Sequence, residues 1–295
     1  MRSMLFVPAD SERKLHKCCD TGTDAVILDL EDSVVPTRKA EARKMAVDFL
    51  YGMQEKSHLI SLWVRINSLD TDLWMQDLEA VVPAAPHGLL IPKPRSGDDV
   101  ARLSRELDKL EAAADIPAGA IKLLPIVTET AVSVIKLHTY IDCSARVSAM
   151  SWGAEDLPAD LGAISNRDEN DELTSIYKLA RDLCLLTSVA AGAQAIDTVY
   201  TNFRNEEGLK QECDRAARDG YTGKMAIHPA QIATINHAFT PAQDDIIRAK
   251  RIVEAFHARP GAGVISLNGE MLDRPHLIRA ERLLSRARHT KSNKS

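Results

Sequence analysis

The segment DAVILDLEDSV, residues 24–34, decides the fold. Its apolar run shows no polar–apolar alternation, which is typical of a parallel strand that is buried on both faces. The run is followed at once by carboxylates: Asp29, Glu31 and Asp32. A helical pattern then extends from Thr37 to about Met53. The segment therefore predicts a strand–helix unit whose strand ends in acidic side chains.

The same kind of unit occurs eight times along the chain. The apolar runs that we predict as strands cover residues 4–8, 24–29, 59–66, 88–92, 121–126, 146–151, 195–200 and 223–227. A helical pattern follows each run, as in α/β proteins with a parallel sheet. Eight such units predict an α/β fold, a (β/α)8 TIM barrel. A doubly wound open sheet is the main alternative, but no GxGxxG follows the first strand.

The chain is expected to form one barrel domain with a C-terminal extension. Residues 1–240 contain the eight units and form the predicted catalytic domain. Residues 241–287 contain a long helical pattern, a glycine-rich turn, the strand-like run VISL and a last helix. We expect this helical arm to pack on the barrel and on a neighbouring subunit. The basic residues 288–295 are predicted to be a disordered tail.

Composition excludes several classes of protein. Of the 295 residues, 45% are hydrophobic and 27% charged, as in soluble globular proteins. The net charge of −5 leaves no basic excess to neutralise nucleic-acid phosphates, and the longest apolar runs are too short to span a membrane. The five cysteines are odd in number and have no CxxC spacing, which favours free thiols in a reducing, cytoplasmic location.

Polar side chains follow most of the predicted strands, at the point where each strand ends. In a (β/α)8 barrel the carboxyl ends of all strands meet at one rim, where active residues lie. The residues expected there are mostly ionisable: Asp29, Glu31, Asp32, Arg65, Asn67, Lys93, Arg95, Thr128, Glu129, Glu155, Asp156 and His228. This concentration predicts an active site at the rim.

The acidic members of this set indicate a metal site. Neighbouring carboxylates raise each other's pKa unless a cation compensates them. Ligand sets made only of oxygen favour Mg²⁺ over zinc. The alternative for each acid is a structural role, in which it pairs with Arg65 or Lys93 or lies at the start of a helix. Glu129 has that alternative because Thr128 is a good helix N-cap.

Two further residues of the rim are candidates for contact with a substrate. Arg65 follows the apolar run LWV, and an arginine in a buried strand must be paired. Its planar guanidinium suits two-point binding of a substrate carboxylate, although a salt bridge to Glu31 or Asp32 would also satisfy it. His228 precedes Pro229 at the end of the eighth strand, and its ring either contacts substrate or caps a loop.

Seven segments resemble one known family in the right order. They are RSMLFVPAD (2–10), DAVILDLEDSV (24–34), WVRINSLDT (63–71), LLPIVTET (123–130), SWGAEDLPADLG (151–162), GKMAIHPAQI (223–232) and VISLNGEMLDRP (264–275). The chain resembles the citrate lyase β-subunit-like group of the HpcH/HpaI aldolase/citrate lyase superfamily, which includes malyl-CoA and citramalyl-CoA lyases. The resemblance implies a (β/α)8 barrel that works as a homotrimer or hexamer on a CoA thioester with Mg²⁺.

The resemblance also implies roles for individual residues of the rim. Glu129 of VTETA and Asp156 of GAEDL would bind Mg²⁺ directly. Arg65 of WVRIN would bind the carboxylate or polarise the keto oxygen of the substrate. Glu31 and Asp32 of LEDSV would orient metal-bound water and the neighbouring ligands.

Five residues outside this set acquire roles in the same way. Asp273 of MLDRP would reach the active site of a neighbouring subunit as an acid/base residue. Four others would lie near the path of the CoA group: Phe6, Lys17, Arg38 and Lys39. Residues 157–170, after the sixth strand, are predicted to be a loop that could cover the site.

The implied reaction is a retro-Claisen-type cleavage. A 3-hydroxy-acyl-CoA of the citramalyl-, malyl- or citryl-CoA type would give acetyl-CoA and a 2-oxo acid. An alternative is a citrate lyase β-subunit that acts on a carrier-protein thioester within a complex. Such subunits tend to read IESPxG and INPxQ where this chain has VTETAV and IHPAQ, which favours the free-standing lyase. A third alternative is a barrel kept as a binding module without turnover.

Overall fold

The computed structural model describes residues 1–54 and 60–292. Eight parallel strands form one sheet with the order β5-β4-β3-β2-β1-β8-β7-β6. Parallel bridges from Leu123 to Val147 and from Ile126 to Ser151 join the two ends of that order, so the sheet closes into a barrel. The strands are β1 (Ser3–Pro8), β2 (Ala25–Asp29), β3 (Ser61–Arg65), β4 (Gly88–Ile91), β5 (Lys122–Pro125), β6 (Ala149–Ser151), β7 (Gln194–Asp197) and β8 (Gly223–Ala226). The predicted (β/α)8 fold is confirmed.

Within the described residues, eleven α-helices follow or flank these strands. They are α1 (Glu12–Cys18), α2 (Lys39–Met53), α3 (Leu73–Val81), α4 (Gly97–Ala113), α5 (Ala131–Ile135), α6 (Asp156–Leu161), α7 (Ser175–Ala190), α8 (Glu206–Asp219), α9 (Ile232–Ala238), α10 (Gln243–His257) and α11 (Arg274–Ser292). None of the described helices has both the length and the apolar character that a membrane span requires.

Apolar side chains fill the barrel. Buried residues from all eight strands or their ends form one core cluster: Met4, Ala25, Ile27, Trp63, Leu90, Leu124, Ile126, Ala149, Ile196 and Met225. A Cβ atom at Gly88 would come within 2.3 Å of the Trp63 ring, so only glycine leaves room for that side chain. Alternate residues of a strand share a face, so Asp29 and Arg65 continue the inward rows above this apolar layer. Polar groups thus begin where the core ends.

The loop predicted over residues 157–170 is wrong for its first part. Helix α6 begins at Asp156 and extends to Leu161. An acidic residue in the first turn suits the positive end of a helix, and Gly162, with a φ of 66°, ends it in the left-handed conformation. Asp156 is therefore held by helical backbone. The first residue of the predicted third strand, Leu59, lies outside the described residues.

The chain divides into two compact units, Met1–Asn236 and His237–Ser295. The division lies close to the predicted boundary at residue 240. The second unit contains α10, α11 and an antiparallel hairpin of β9 (Val264–Leu267) and β10 (Glu270–Asp273). Its own core is formed by Ala249, Ile252, Phe256, Ile265, Leu272 and Ala280. The segment predicted to be a disordered tail from residue 288 is helical as far as Ser292, and residues 293–295 lie outside the described part.

Candidate active site

Arg65 is held rigidly at the end of β3. Asp29 lies beside it in the parallel register of β2 and β3. The Nε and Nη2 atoms of Arg65 donate to the two carboxylate oxygens of Asp29, each over 2.7 Å. Its third nitrogen, Nη1, lies 3.0 Å from Glu31 and 4.0 Å from Asp32. The two-point salt bridge fixes the plane of the guanidinium and leaves one edge for other acids.

Phe6 supports Arg65 from within the barrel. The guanidinium carbon lies 4.8 Å from the centre of the Phe6 ring, a cation–π contact. Burial by itself would lower the pKa of Arg65, but Asp29 and Glu31 outweigh it and raise the pKa. The expected salt bridge to Glu31 is present, yet Asp29 makes the closer and bidentate pair. Asp29 was expected at the rim but without a role, because sequence alone does not show which acid faces the guanidinium.

The backbone after β2 is folded tightly, which places Glu31 and Asp32 at the rim. Asp29 accepts hydrogen bonds from the backbone N–H groups of Glu31, over 2.9 Å, and Ser33, over 3.2 Å. The Lys39 ammonium donates to the carbonyl oxygens of Leu30 and Glu31 over 2.7 and 2.6 Å. Asp29 and Lys39 therefore hold the LEDSV turn in one conformation. A contact of Lys39 with CoA stays a prediction.

Lys93 joins the acids of several strand ends. Its ammonium lies 2.6 Å from Glu31, 3.1 Å from Asp32 and 3.3 Å from Asp156. Its backbone N–H donates to the Glu129 carboxylate. Its φ of 51° is left-handed, which is unusual for a residue with a side chain. We call Glu31, Asp32, Arg65, Lys93, Glu129 and Asp156 the rim cluster.

Glu129 is the buried acid of the rim cluster. Its side chain packs so closely on Gly153 that a Cβ atom there would come within 2.3 Å of the Glu129 Cγ. Gly153 is itself held by a hydrogen bond from its N–H to the Thr128 hydroxyl, over 3.1 Å. Burial, and then the carboxylate of Asp156, raises the pKa of Glu129 well above its usual value. Glu129 therefore lacks enough cationic compensation within the chain.

The rim cluster fits a divalent cation. No three carboxylates, histidines or cysteines among the described residues converge as a complete metal cage. Mg²⁺ does not need one, because it usually binds one or two carboxylates and keeps water or substrate oxygens as its other ligands. Glu129 contacts the backbone N–H of Lys93 and Asp156 contacts its ammonium. The charge of Asp156 also raises the pKa of Glu129, so the two carboxylates lie in the same region of the rim. An under-compensated buried carboxylate beside a second carboxylate is the donor set that a hard cation requires.

His228 and Asp273, which were also predicted to act in the site, make contacts with residues outside the rim cluster. The His228 ring accepts a hydrogen bond from the Ala230 N–H and stacks on Phe203 at a centroid distance of 4.7 Å. It therefore caps the turn after β8, and a substrate contact stays a prediction. Asp273 ends β10 in the second unit, where its carboxylate lies 2.5 Å from the His276 ring. A role for Asp273 in a neighbouring copy also stays a prediction.

Two other residues predicted near CoA lie around α1 and α2. Arg38 forms salt bridges with Asp10 over 2.9 Å and with Glu41 over 3.0 Å. It lines a cavity of about 600 Å³ together with Leu15, whereas Lys17 is exposed in the last turn of α1. Both roles stay predictions. The acids beside Arg38 reduce the charge that it could offer to a phosphate group.

A second group of charged residues, which the sequence reasoning missed, lies on the outer face of β7 and β8. The Asp197 carboxylate accepts hydrogen bonds from the Trp152 indole and the Lys224 ammonium, each over 2.7 Å. Lys224 also donates to Glu212 over 3.2 Å, and Arg181 lies 3.9 Å from Asp197. We call these five residues the wall network. The signal available in the sequence was a lysine inside the apolar run GKMA, which must be paired if that run is buried.

The chain matches the model of the HpcH/HpaI aldolase/citrate lyase family over residues 2–229. The chain belongs to this family. The match covers all eight barrel strands and every residue of the rim cluster. As a member of this family, the chain is a carbon–carbon lyase.

Curated relatives span nearly the whole chain. Citrate lyase subunit beta of Haemophilus influenzae is 36% identical over 97% of both chains. Mitochondrial citramalyl-CoA lyase of Rattus norvegicus is 34% identical over 97% of this chain and 86% of its own length. A (3S)-malyl-CoA thioesterase of Cereibacter sphaeroides is 35% identical over 97% of this chain and 94% of its own length. Two of these relatives are named lyases and the third a thioesterase, and their names point to different acyl groups. The similarity therefore does not identify the substrate of this chain.

A solved structure extends the comparison to bound molecules. The protein CitE of Mycobacterium tuberculosis, in complex with magnesium, acetoacetate and coenzyme A, superimposes with a TM-score of 0.78. It is 31% identical, and the match covers 97% of each chain. That relative binds a divalent cation, a short oxo acid and CoA on the same fold.

Proposed function

We propose that this lyase depends on Mg²⁺ and cleaves a short 3-hydroxy-acyl-CoA to acetyl-CoA and a 2-oxo acid. The candidate substrates are citramalyl-CoA, malyl-CoA and citryl-CoA. The observation that carries the proposal is the pairing, at one rim, of a fixed guanidinium with a buried and under-compensated carboxylate, Arg65 and Glu129. The first suits the carboxylate of a hydroxy acid, and the second suits a hard cation.

In this proposal Glu129 and Asp156 would hold the Mg²⁺. When bound, Mg²⁺ supplies Lewis-acid stabilisation of negative charge on the substrate oxygens. Arg65 adds a fixed positive charge where the 3-hydroxyl oxygen becomes a keto oxygen. Because Asp29 and Phe6 already hold the guanidinium, little reorganisation is needed when that charge develops.

The bond changes follow from the substrate class. A base at the rim takes the proton of the 3-hydroxyl, and the C3 oxygen becomes the keto oxygen of the 2-oxo acid. The C2–C3 bond breaks, and its electron pair moves to the thioester as an enolate. Glu31 and Asp32, held by Lys93, would orient water and neighbouring groups at the rim. The enolate carbon then takes a proton from an acid, for which we propose Asp273 of a neighbouring copy. The reaction needs no covalent nucleophile, so no cysteine is assigned a catalytic role.

An exposed apolar stripe supports the proposal of a homotrimer or hexamer. On α7, Ile176, Leu179 and Leu186 are 44%, 49% and 65% exposed, and Leu183 is half-buried between them. Their spacing of three and four residues places them on one helix face. Such a stripe on a charged protein is typical of a surface that packs on another chain. Analytical ultracentrifugation should show a trimer or a hexamer, and a monomer at micromolar concentration would contradict this part of the proposal.

The carrier-protein thioester remains the second candidate substrate. The 36% identity to a citrate lyase β-subunit over 97% of both chains favours it. A subunit of this kind would act on an acyl group that is attached to a partner protein and not to free CoA. The two candidates share the chemistry of the rim and differ only in what carries the thioester.

The test is an assay of the purified chain with each of the three acyl-CoA substrates and MgCl₂. Acetyl-CoA and the matching 2-oxo acid should form in equal amounts, and EDTA should abolish the reaction. Activity that appears only with an acyl-carrier protein would select the second candidate. No cleavage of either kind of thioester would overturn the proposal. Release of free CoA without a 2-oxo acid would identify a hydrolase instead and would also overturn it.

A further inference from the structure

Lys93 connects the two acidic halves of the rim cluster. Its ammonium contacts Glu31 and Asp32 on one side and Asp156 on the other. Its backbone N–H binds the remaining acid, Glu129. One residue thus touches both proposed metal ligands and both acids that were expected to orient water. This position differs from that of Arg65, whose closest partner is Asp29.

We propose that Lys93 is a positioning residue that limits the affinity of the rim for its divalent cation and thereby keeps the site open to an anionic substrate. The inference rests on the proposed function, because it assumes that Glu129 and Asp156 bind Mg²⁺. It adds Lys93 to the residues of that function, with the role of setting the affinities for the cation and the substrate.

The charges of the rim carry the first argument. Five carboxylates lie in this region of the described residues: Asp29, Glu31, Asp32, Glu129 and Asp156. Three cationic side chains compensate them, Lys39 at longer range and Arg65 and Lys93 in direct ion pairs. Without the Lys93 ammonium, the electrostatic potential at the proposed metal position becomes more negative. A divalent cation then binds more tightly, whereas the carboxylate of a hydroxy acid or oxo acid meets greater repulsion. Lys93 therefore weakens the binding of the metal and strengthens the binding of the anionic substrate.

The backbone of Lys93 carries the second argument. Its φ of 51° lies in the left-handed region, where glycine is favoured and a side chain costs about 1 kcal/mol. A glycine would satisfy the backbone and would still donate the N–H to Glu129. The residue at this position is nevertheless a lysine, and its side chain is only 27% exposed. A strained residue of this kind at a site is typical of a functional side chain.

The experiment measures binding and not turnover. Isothermal titration calorimetry with MgCl₂ is performed on the wild type, Lys93→Met, Lys93→Arg and Lys93→Gly. Pyruvate is then titrated into each protein at saturating Mg²⁺. Met keeps the length of the side chain without the charge, Arg keeps the charge, and Gly removes the charge while suiting the left-handed backbone. The Gly variant decides the question if the Met variant does not fold.

We expect Lys93→Met and Lys93→Gly to bind Mg²⁺ about tenfold more tightly than the wild type and pyruvate about tenfold more weakly. Lys93→Arg should stay within about threefold of the wild type for both. A merely structural lysine would weaken Mg²⁺ binding when removed. Mg²⁺ affinity that is unchanged or weaker in the Met and Gly variants would therefore overturn the inference.

One control separates this inference from the proposed function. Glu129→Gln removes a proposed metal ligand and keeps its shape. If the wild type binds Mg²⁺ and Glu129→Gln does not, the metal site stands, and the Lys93 variants alone decide the inference. If the wild type does not bind Mg²⁺, or if Glu129→Gln binds it equally well, the metal site is wrong and the inference is overturned with it.

Discussion

The rim cluster and the wall network each contain a carboxylate that is equally buried, but its pKa is raised in the first and lowered in the second. Glu129 of the rim cluster and Asp197 of the wall network are both 3% exposed. Burial would raise the pKa of Asp197, but Lys224 and Arg181 outweigh it and hold the pKa below its usual value. At Glu129, burial and Asp156 together raise the pKa. The two sites differ in charge balance and not in burial.

The difference separates a structural ion network from a functional one. In the wall network, Asp197 has a lysine and an arginine within 4 Å and an indole N–H as a third partner. Its charge is compensated by groups of the chain itself. In the rim cluster, Asp156 shares the Lys93 ammonium with Glu31 and Asp32, while Glu129 contacts Lys93 only at the backbone N–H. The proposed divalent cation would supply the missing positive charge. A buried carboxylate whose charge is balanced by cations of the same chain is typical of a structural network. A buried carboxylate with too few such cations is a candidate for a binding site.

The same substitution in both places should give the largest contrast. Lys224→Met leaves the buried Asp197 and the half-buried Glu212 without their ammonium, so the free energy of unfolding should fall by about 3–5 kcal/mol. Lys93→Met is the matched control at a partly exposed site, and its cost should be about 1 kcal/mol. Urea denaturation of both variants measures the difference. Equal losses would contradict the division into structural and functional charges.

Glu129→Gln should abolish function without unfolding the protein. The amide is neutral, so it removes the charge that a metal needs and also the cost of burying that charge. Lyase activity should fall by at least about 100-fold, while the free energy of unfolding without Mg²⁺ stays equal or increases. The matched variant Asp197→Asn should instead lose stability. A Glu129→Gln protein that is less stable than the wild type in EDTA would contradict the raised pKa.

Trp152→Phe tests whether the wall network supports the rim. The change keeps the aromatic ring and removes the hydrogen bond of 2.7 Å from the indole to Asp197. Loss of a hydrogen bond to a charged acceptor should lower the free energy of unfolding by about 1.5–3 kcal/mol. Because Trp152 precedes Gly153, which packs on Glu129, the Mg²⁺ dissociation constant should rise as well. Unchanged Mg²⁺ affinity would show that the two clusters act independently.

The pH dependence of stability should have opposite signs at the two acids. The lowered pKa of Asp197 contributes stability above the unfolded-state pKa of about 3.9, and this is lost as the pH falls towards the folded-state pKa. The raised pKa of Glu129 does the reverse in metal-free protein, so stability falls as the pH rises above about 4.3. Unfolding measured from pH 4 to 7 in EDTA should show the second trend in the wild type and not in Glu129→Gln.

Much of the barrel could be predicted from the sequence, because buried parallel strands are continuous apolar runs and helices keep their own period. The same runs showed which polar residues reach the rim. They could not show the pairs within it, since Asp29 and Arg65 are 36 residues apart and meet only through strand register. Lys93 was expected at the rim only as a possible partner of single acids, because its contacts with several acids at once depend on a left-handed backbone.

Two other features could not be predicted for related reasons. Helix α6 is short, and its residues DLPADL contain a proline that favours a loop in the absence of its surroundings. The wall network depends on residues from β7, β8 and the helices outside them, so its partners are far apart in sequence. In both cases the deciding contacts are tertiary. The local pattern indicates that Lys224 needs a partner, but it does not show which residues pair with it.

We propose that Glu129 and Asp156 bind a divalent cation, which compensates the excess negative charge of the rim cluster. The most direct measurement is the anomalous scattering of Mn²⁺, a substitute for Mg²⁺, in crystals of the wild-type protein soaked with MnCl₂. We expect one strong peak at about 2.1 Å from carboxylate oxygens of both Glu129 and Asp156, and no such peak in Glu129→Gln crystals. A rim without a peak at saturating Mn²⁺, or a peak that persists unchanged in the variant, would contradict it.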